Sequence, residues 1–178
     1  VFTPGKSSVS PLVMNPFEPP ANVRLEAFKS VLKTAFAAGV TMTTPLDKIF
    51  DETVTNVYAK FGWFDSDTAG SGGSPFTIQD FILEFRRTFE GIGYTGDAQN
   101  IGRAGLVRLG ALAQLFDNVK SVPIHDLVTR PSLIELAGIE NAEDKALLIS
   151  LLLLNVLAYV NANVPGDGRL KFVIVLEE

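Results

Sequence analysis

Cysteine is absent from the 178 residues, and histidine occurs once, at His125. The first absence excludes a disulfide framework and any cysteine-based zinc site. It is compatible with a reducing compartment, and a cytoplasmic location is the expectation. An excess of positive charge is missing as well: 15 Lys and Arg stand against 20 Asp and Glu, a net charge of −5. That balance argues against non-specific polyanion binding by the whole chain, while leaving room for a local basic patch. No long uninterrupted apolar run is present. The longest, Leu147–Val160, is broken by Ser150 and Asn155 and falls short of the ~20 residues that cross a bilayer. It reads as a buried helix, and no membrane segment is expected. An initial Met, a basic leader and a signal-peptide core are also missing. The abrupt start at Val1-Phe2-Thr3 and the abrupt end at Glu177-Glu178 give the expectation of a stretch cut from a longer protein.

What is present is apolar enough to build a core: 47% of residues are hydrophobic, which places the chain in the globular class. Residues 1–22 carry Pro4, Pro11, Pro16, Pro19 and Pro20, so they read as a short strand and an extended connector. From 23 to 128 the pattern is mainly helical. Asn22 is placed to cap a helix over 23–38, and Pro45 opens a second that runs to Phe61. Gly70-Ser71-Gly72-Gly73-Ser74 marks a flexible loop near 66–75. Thr77, with Asp80 three residues on, opens a third helix closed by Gly91 and Gly93. A fourth runs from about 98 to 116, weakened by Gly102, Gly105 and Gly110.

Residues 129–178 change character. Ser132-Leu133-Ile134-Glu135-Leu136 reads as a buried strand, Asn141 caps a long apolar helix, and Lys171–Leu176 reads as a second buried strand. Strand, helix and strand in that order predict one right-handed unit of a parallel sheet. The expected fold class is therefore α/β: a few parallel strands, about Val1–Thr3, Leu133–Leu136 and Lys171–Leu176, carrying a large, mainly helical insertion.

The strongest chemical signal is Phe172-Val173-Ile174-Val175-Leu176-Glu177-Glu178. An apolar strand ending in two carboxylates is the Walker B pattern, in which one acid helps hold Mg²⁺ and the next orients the attacking water. Alone it is weak, because apolar strands often end in solvated acids. Its neighbours, in order, are Thr3-Pro4-Gly5, Asn15-Pro16-Phe17, Tyr58 with Gly62-Trp63, Pro131 through Glu135-Leu136, and Glu143-Asp144-Lys145-Ala146-Leu147. This ordered set resembles the HerA/FtsK-type P-loop ATPases, in particular the HerA-like and conjugative-secretion branch. The resemblance covers nearly the whole chain.

It implies Glu177 as the metal-associated acid, acting on Mg through water, and Glu178 as the catalytic glutamate. The first acid departs from the commoner Asp. It also implies a parent that uses ATP and Mg, assembles as a homo-hexamer on double-stranded DNA, and in some relatives works with a nuclease. DNA end processing, phage defence and conjugative transfer are left open by the resemblance. No Walker A loop is present, so the chain alone is expected to be inactive and to hold no nucleotide. Gly5-Lys6-Ser7 looks like the tail of such a loop, but Ser8-Val9-Ser10-Pro11 cannot continue as the required helix.

Other candidates read more simply. His125-Asp126 lacks a neighbouring nucleophile and reads as structural. Arg86-Arg87 and Arg103/Arg108 could meet DNA or a neighbouring nucleotide, but read first as a solvated helix face. Trp63 and the phenylalanines read as core. The alternative to a motor component is a helical protein-interaction module without catalysis.

Overall fold

The computed structural model describes residues 1–5 and 10–177. Its elements are α1 (Leu25–Gly39), α2 (Leu46–Lys60), α3 (Ile78–Ile92), α4 (Asp97–Phe116), the short α5 (Ile124–Thr129), a 3₁₀ turn (Leu136–Gly138) and α6 (Ala142–Asn163). Helix α1 packs on α6, α2 on α3, α3 on α4, and α5 on the C-terminal half of α6.

The α/β expectation is corrected here: among the described residues there is no strand and no sheet, only two isolated bridges. One is parallel, Phe2 with Ile134, closed by Phe2 N to Leu133 O at 2.7 Å and Glu135 N to Phe2 O at 2.9 Å. The other is antiparallel, Arg24 with Thr68. The reason is pairing. A ladder needs consecutive partners, and the 3₁₀ turn at Leu136 ends the first bridge after one register. Lys171–Leu176 is extended but takes no backbone partner among the described residues. The strand–helix–strand unit is thus a helix between two extended segments.

Local chemistry explains the helices. In α1 the buried residues Leu25, Phe28, Leu32, Ala35, Phe36 and Gly39 recur at three and four residues, forming one apolar face. Gly39 ends that face where α6 crosses: a Cβ there would lie 2.6 Å from Leu147 Cβ. The first turn of α3 has the expected capping box, with Thr77 N donating to Asp80 Oδ2 at 2.9 Å and Gln79 N to Thr77 Oγ1 at 3.2 Å. Asn141 caps α6 by accepting from Asp144 N at 3.0 Å. The α1 start differs from expectation. Arg24 is its N-cap residue, while Asn22 sits at φ +61° and donates to Asn163 Oδ1 at 2.6 Å. Helix α4 is continuous despite its glycines.

Helix α6 is 22 residues long, and by length and composition alone it would reach across a membrane. Leu147, Leu148 and Leu151 are instead buried in the protein core on the α1 side. Each such leucine contributes about 1.5–3 kcal/mol on burial.

The centre of the core is aromatic. Phe17 from the proline-rich connector stacks on Phe81 at a centroid distance of 4.6 Å and on Phe76 at 5.3 Å. Phe36 and Phe50 close the cluster at 5.1 Å. Asn15 holds Phe17 in place. Its amide donates to Phe76 O at 2.8 Å and Val119 O at 3.0 Å, and its Oδ1 accepts from Phe17 N at 3.0 Å. Asn15-Pro16-Phe17 is thus a buried latch between the connector and the helices. The glycine-serine loop also folds back on its neighbours. Trp63 Nε1 donates to Ser74 O at 2.8 Å, and Phe64 N donates to Asp67 Oδ2 at 2.7 Å.

Candidate functional site

The extended segment that leads to the acidic pair begins at a turn. Arg169 N donates to Asp167 Oδ1 at 3.1 Å, and Lys171 Nζ pairs with Asp167 Oδ2 at 2.8 Å. These contacts, the lysine first, lower the Asp167 pKa below the usual carboxylate range. Phe172 then packs on Ile124, Val156 and Tyr159 at the junction of α5 and α6. Beyond it the chain leaves the core. Val173 is 69% exposed, Val175 73% and Leu176 70%. The expected buried strand is instead an unpaired, solvent-facing segment.

Glu177 lies exposed at the end of this segment and makes no hydrogen bond or ion pair among the described residues. Glu178 lies outside the described residues. No group of three or more His, Asp or Glu side chains gathers to hold a metal among the described residues. One exposed carboxylate does not by itself make a magnesium or nucleotide site. Lys6 and Ser7 of the apparent loop tail also lie outside the described residues. Gly5 has φ +80° and packs on the Gly138 carbonyl.

Under the segment runs an apolar groove of about 560 Å³, walled by Leu127, Ile134, Leu152, Val156, Phe172 and Leu176 among others. Its walls come from α5, the bridge segment, α6 and the exposed tail. The neighbouring cavity is smaller, about 190 Å³, with Glu18, Ser121, His125, Asn155 and Tyr159 in its lining. His125 Nδ1 lies 3.0 Å from the Tyr159 hydroxyl, and Glu18 accepts from Ser121 N at 2.6 Å. Asn155 is buried within α6, and its Oδ1 has no hydrogen-bond partner among the described residues. Spacing along the sequence could not bring these residues together, since they come from three distant segments. The one local sign was a polar residue interrupting an apolar helix.

The arginines divide. Arg108 is structural: its guanidinium donates to Gly39 O and pairs with Asp144 at 2.6 Å. Arg86, Arg87 and Arg103 are exposed on α3 and α4, and Arg87 lies 3.5 Å from Glu84. Trp63 is half-buried, edge-on to Tyr58. The phenolic hydroxyl of Tyr58 donates to Phe17 O, and full burial pushes its pKa well above 10. Comparison of the chain with models of protein families, with curated proteins and with solved structures found no match.

Proposed function

We propose that this chain is a component of an ATP-driven DNA-translocating motor of the HerA/FtsK type. In this reading the helical body is scaffold, Glu177 contacts Mg²⁺ through water, and Glu178 is the catalytic glutamate. The phosphate-gripping loop, ATP and Mg²⁺ belong to the complete motor, a homo-hexameric ring on double-stranded DNA that in some relatives works with a nuclease. In this reading the chain alone is inactive, because a single acidic segment end grips no phosphate.

One observation carries the proposal. An apolar run, Phe172–Leu176, is left largely outside the helical core and delivers its carboxylate into solvent. Burying four such side chains would contribute several kcal/mol, at about 25 cal/mol per Å² of apolar surface. A segment of this composition is suited to a partner rather than to solvent. The ordered motifs from Thr3-Pro4-Gly5 to Glu177 supply the kind of partner. The test is ATP turnover by the full-length polypeptide that carries this sequence, with and without double-stranded DNA. Turnover stimulated by DNA is expected; none under either condition would sink the reading.

A second reading, a helical interaction module, is favoured by the 560 Å³ groove, whose lining includes many apolar side chains. It predicts a bound partner and no nucleotide turnover.

A further inference from the structure

We propose that the smaller cavity, between the proline-rich connector, the start of α5 and the C-terminal half of α6, binds a small organic cation. The ligand class is an ammonium or amidinium group carried on a single apolar ring. The inference does not rest on the motor reading. No residue from Lys171 to Glu177 lines this cavity, so the site stands whether or not that segment is engaged.

Three observations lead to it. The first is size and wall chemistry. The cavity measures about 190 Å³. One of about 150 Å³ holds benzene, so this one takes a single ring with a short substituent. Met14, Pro19, Pro20, Pro123 and Ile124 supply apolar wall. The prolines have a fixed backbone φ, which leaves little for a ligand to order on binding.

The second observation is Asn155. It lines the cavity and is 5% exposed, and its Oδ1 has no hydrogen-bond partner among the described residues. Asn15, the other buried asparagine, is fully engaged: its amide nitrogen donates twice and its oxygen accepts once. A buried polar atom without a partner is destabilising, and leucine at 155 would continue the apolar helix without that cost. A half turn about Cβ–Cγ exchanges oxygen and nitrogen, so the amide presents an acceptor to an incoming N–H donor.

The third observation selects the charge of the ligand. Glu18 lines the same cavity, and its Oε2 accepts from Ser121 N at 2.6 Å, which fixes the carboxylate. No lysine or arginine lines the cavity, and none pairs with Glu18 among the described residues. His125 and Tyr159, the other titratable side chains of the lining, lie 3.0 Å apart, Nδ1 to hydroxyl. The lining thus carries a carboxylate without a counter-charge beside an amide without a partner. A cation with several N–H donors satisfies both, whereas an anion is repelled and a neutral ring leaves the charge unpaired.

The test uses benzylammonium as the probe and benzyl alcohol as its uncharged counterpart, each titrated into the isotope-labelled chain at neutral pH. Benzylammonium is expected to give saturable amide shifts confined to residues 14–21, 121–125 and 155–159, with a Kd of about 1 mM. Benzyl alcohol should bind at least about tenfold more weakly. Glu18→Gln keeps an acceptor for Ser121 N but removes the charge. It should weaken benzylammonium about tenfold and leave benzyl alcohol unchanged. Asn155→Leu should raise Tm by about 2–6 °C yet weaken benzylammonium at least about fivefold, a split that a purely structural asparagine would not give.

Three results would overturn the proposal. Equal binding of the two probes would mark an apolar cavity only. Unchanged benzylammonium binding in both variants would place the probe elsewhere. No saturable shift up to about 20 mM would mark a cavity that holds only water. If Asn155→Leu fails to fold, Glu18→Gln decides alone.

Discussion

Arg108 and Gly39 are joined by two hydrogen bonds: Nε and Nη2 of the arginine both donate to the Gly39 carbonyl, at 3.0 and 2.9 Å. Gly39 is the last residue of α1, where backbone carbonyls run out of helical partners. The same guanidinium reaches Asp144 in the first turn of α6 at 2.6 Å. One side chain on α4 thus ties the end of α1 to the start of α6, two helices that pack on each other.

Replacing Arg108 removes charge-assisted hydrogen bonds and strands a partly buried carbonyl. Arg108→Ala is expected to destabilise the fold by about 2–3 kcal/mol in urea unfolding. Arg108→Lys should recover less than half of that, because an ammonium cannot fork between a carbonyl and a carboxylate. Equal stability of the alanine variant and the parent would show that the clamp is idle.

Two glycines of α4 should respond with opposite signs. A Cβ on Gly102 would lie 2.2 Å from the Phe89 ring, whereas one on Gly110 would meet open space. Gly102→Ala should cost about 1–3 kcal/mol through overpacking. Gly110→Ala should stabilise by about 0.5–1 kcal/mol by restoring helix propensity. Thermal unfolding of the two variants side by side checks both. A gain from Gly102→Ala would mean that Phe89 does not sit where the structure places it.

Much of this was legible in the sequence wherever the signal was local. Thr77 with Asp80, Asn141 and the apolar spacing of α1 each announce a helix within a few residues. The α1 start was not legible, because Asn22 is drawn away by Asn163, far along the chain. Nor were the close contacts of Gly39 and Gly102, which depend on helices that meet only in the folded protein. Phe172–Leu176 shows why the α/β expectation went wrong. Its composition announces an extended apolar segment, but whether that segment is paired depends on a neighbour that composition cannot name. As for the candidate site, the acidic end at Glu177 was legible as a motif, while its exposure and the nearby groove were not. The grouping of Glu18, His125, Asn155 and Tyr159 around one cavity left a single local sign, Asn155 interrupting an apolar helix.

Tyr58 gives the chain a defined alkaline limit. Burial raises the pKa of its hydroxyl in the folded state above the unfolded value of about 10. The neutral form is favoured by folding, so its contribution is fully present below the unfolded pKa and is lost as the pH rises toward the folded one. Tyrosinate absorbance should therefore show one of the three tyrosines ionising only as helix content collapses. In Tyr58→Phe that late phase should disappear, with stability reduced by about 1 kcal/mol for the lost bond to Phe17 O. Three tyrosines titrating before unfolding would contradict the burial of Tyr58.

The motor reading meets its most direct test at the acidic end. ATP turnover on double-stranded DNA is to be measured for the full-length polypeptide beside its Glu178→Gln variant, with nucleotide binding followed in parallel. The account predicts turnover lowered at least about a hundredfold by the variant, as for loss of a group that positions the attacking water, with nucleotide binding kept. Unchanged turnover in Glu178→Gln would contradict it, and would leave the helical body and its apolar groove as an interaction module.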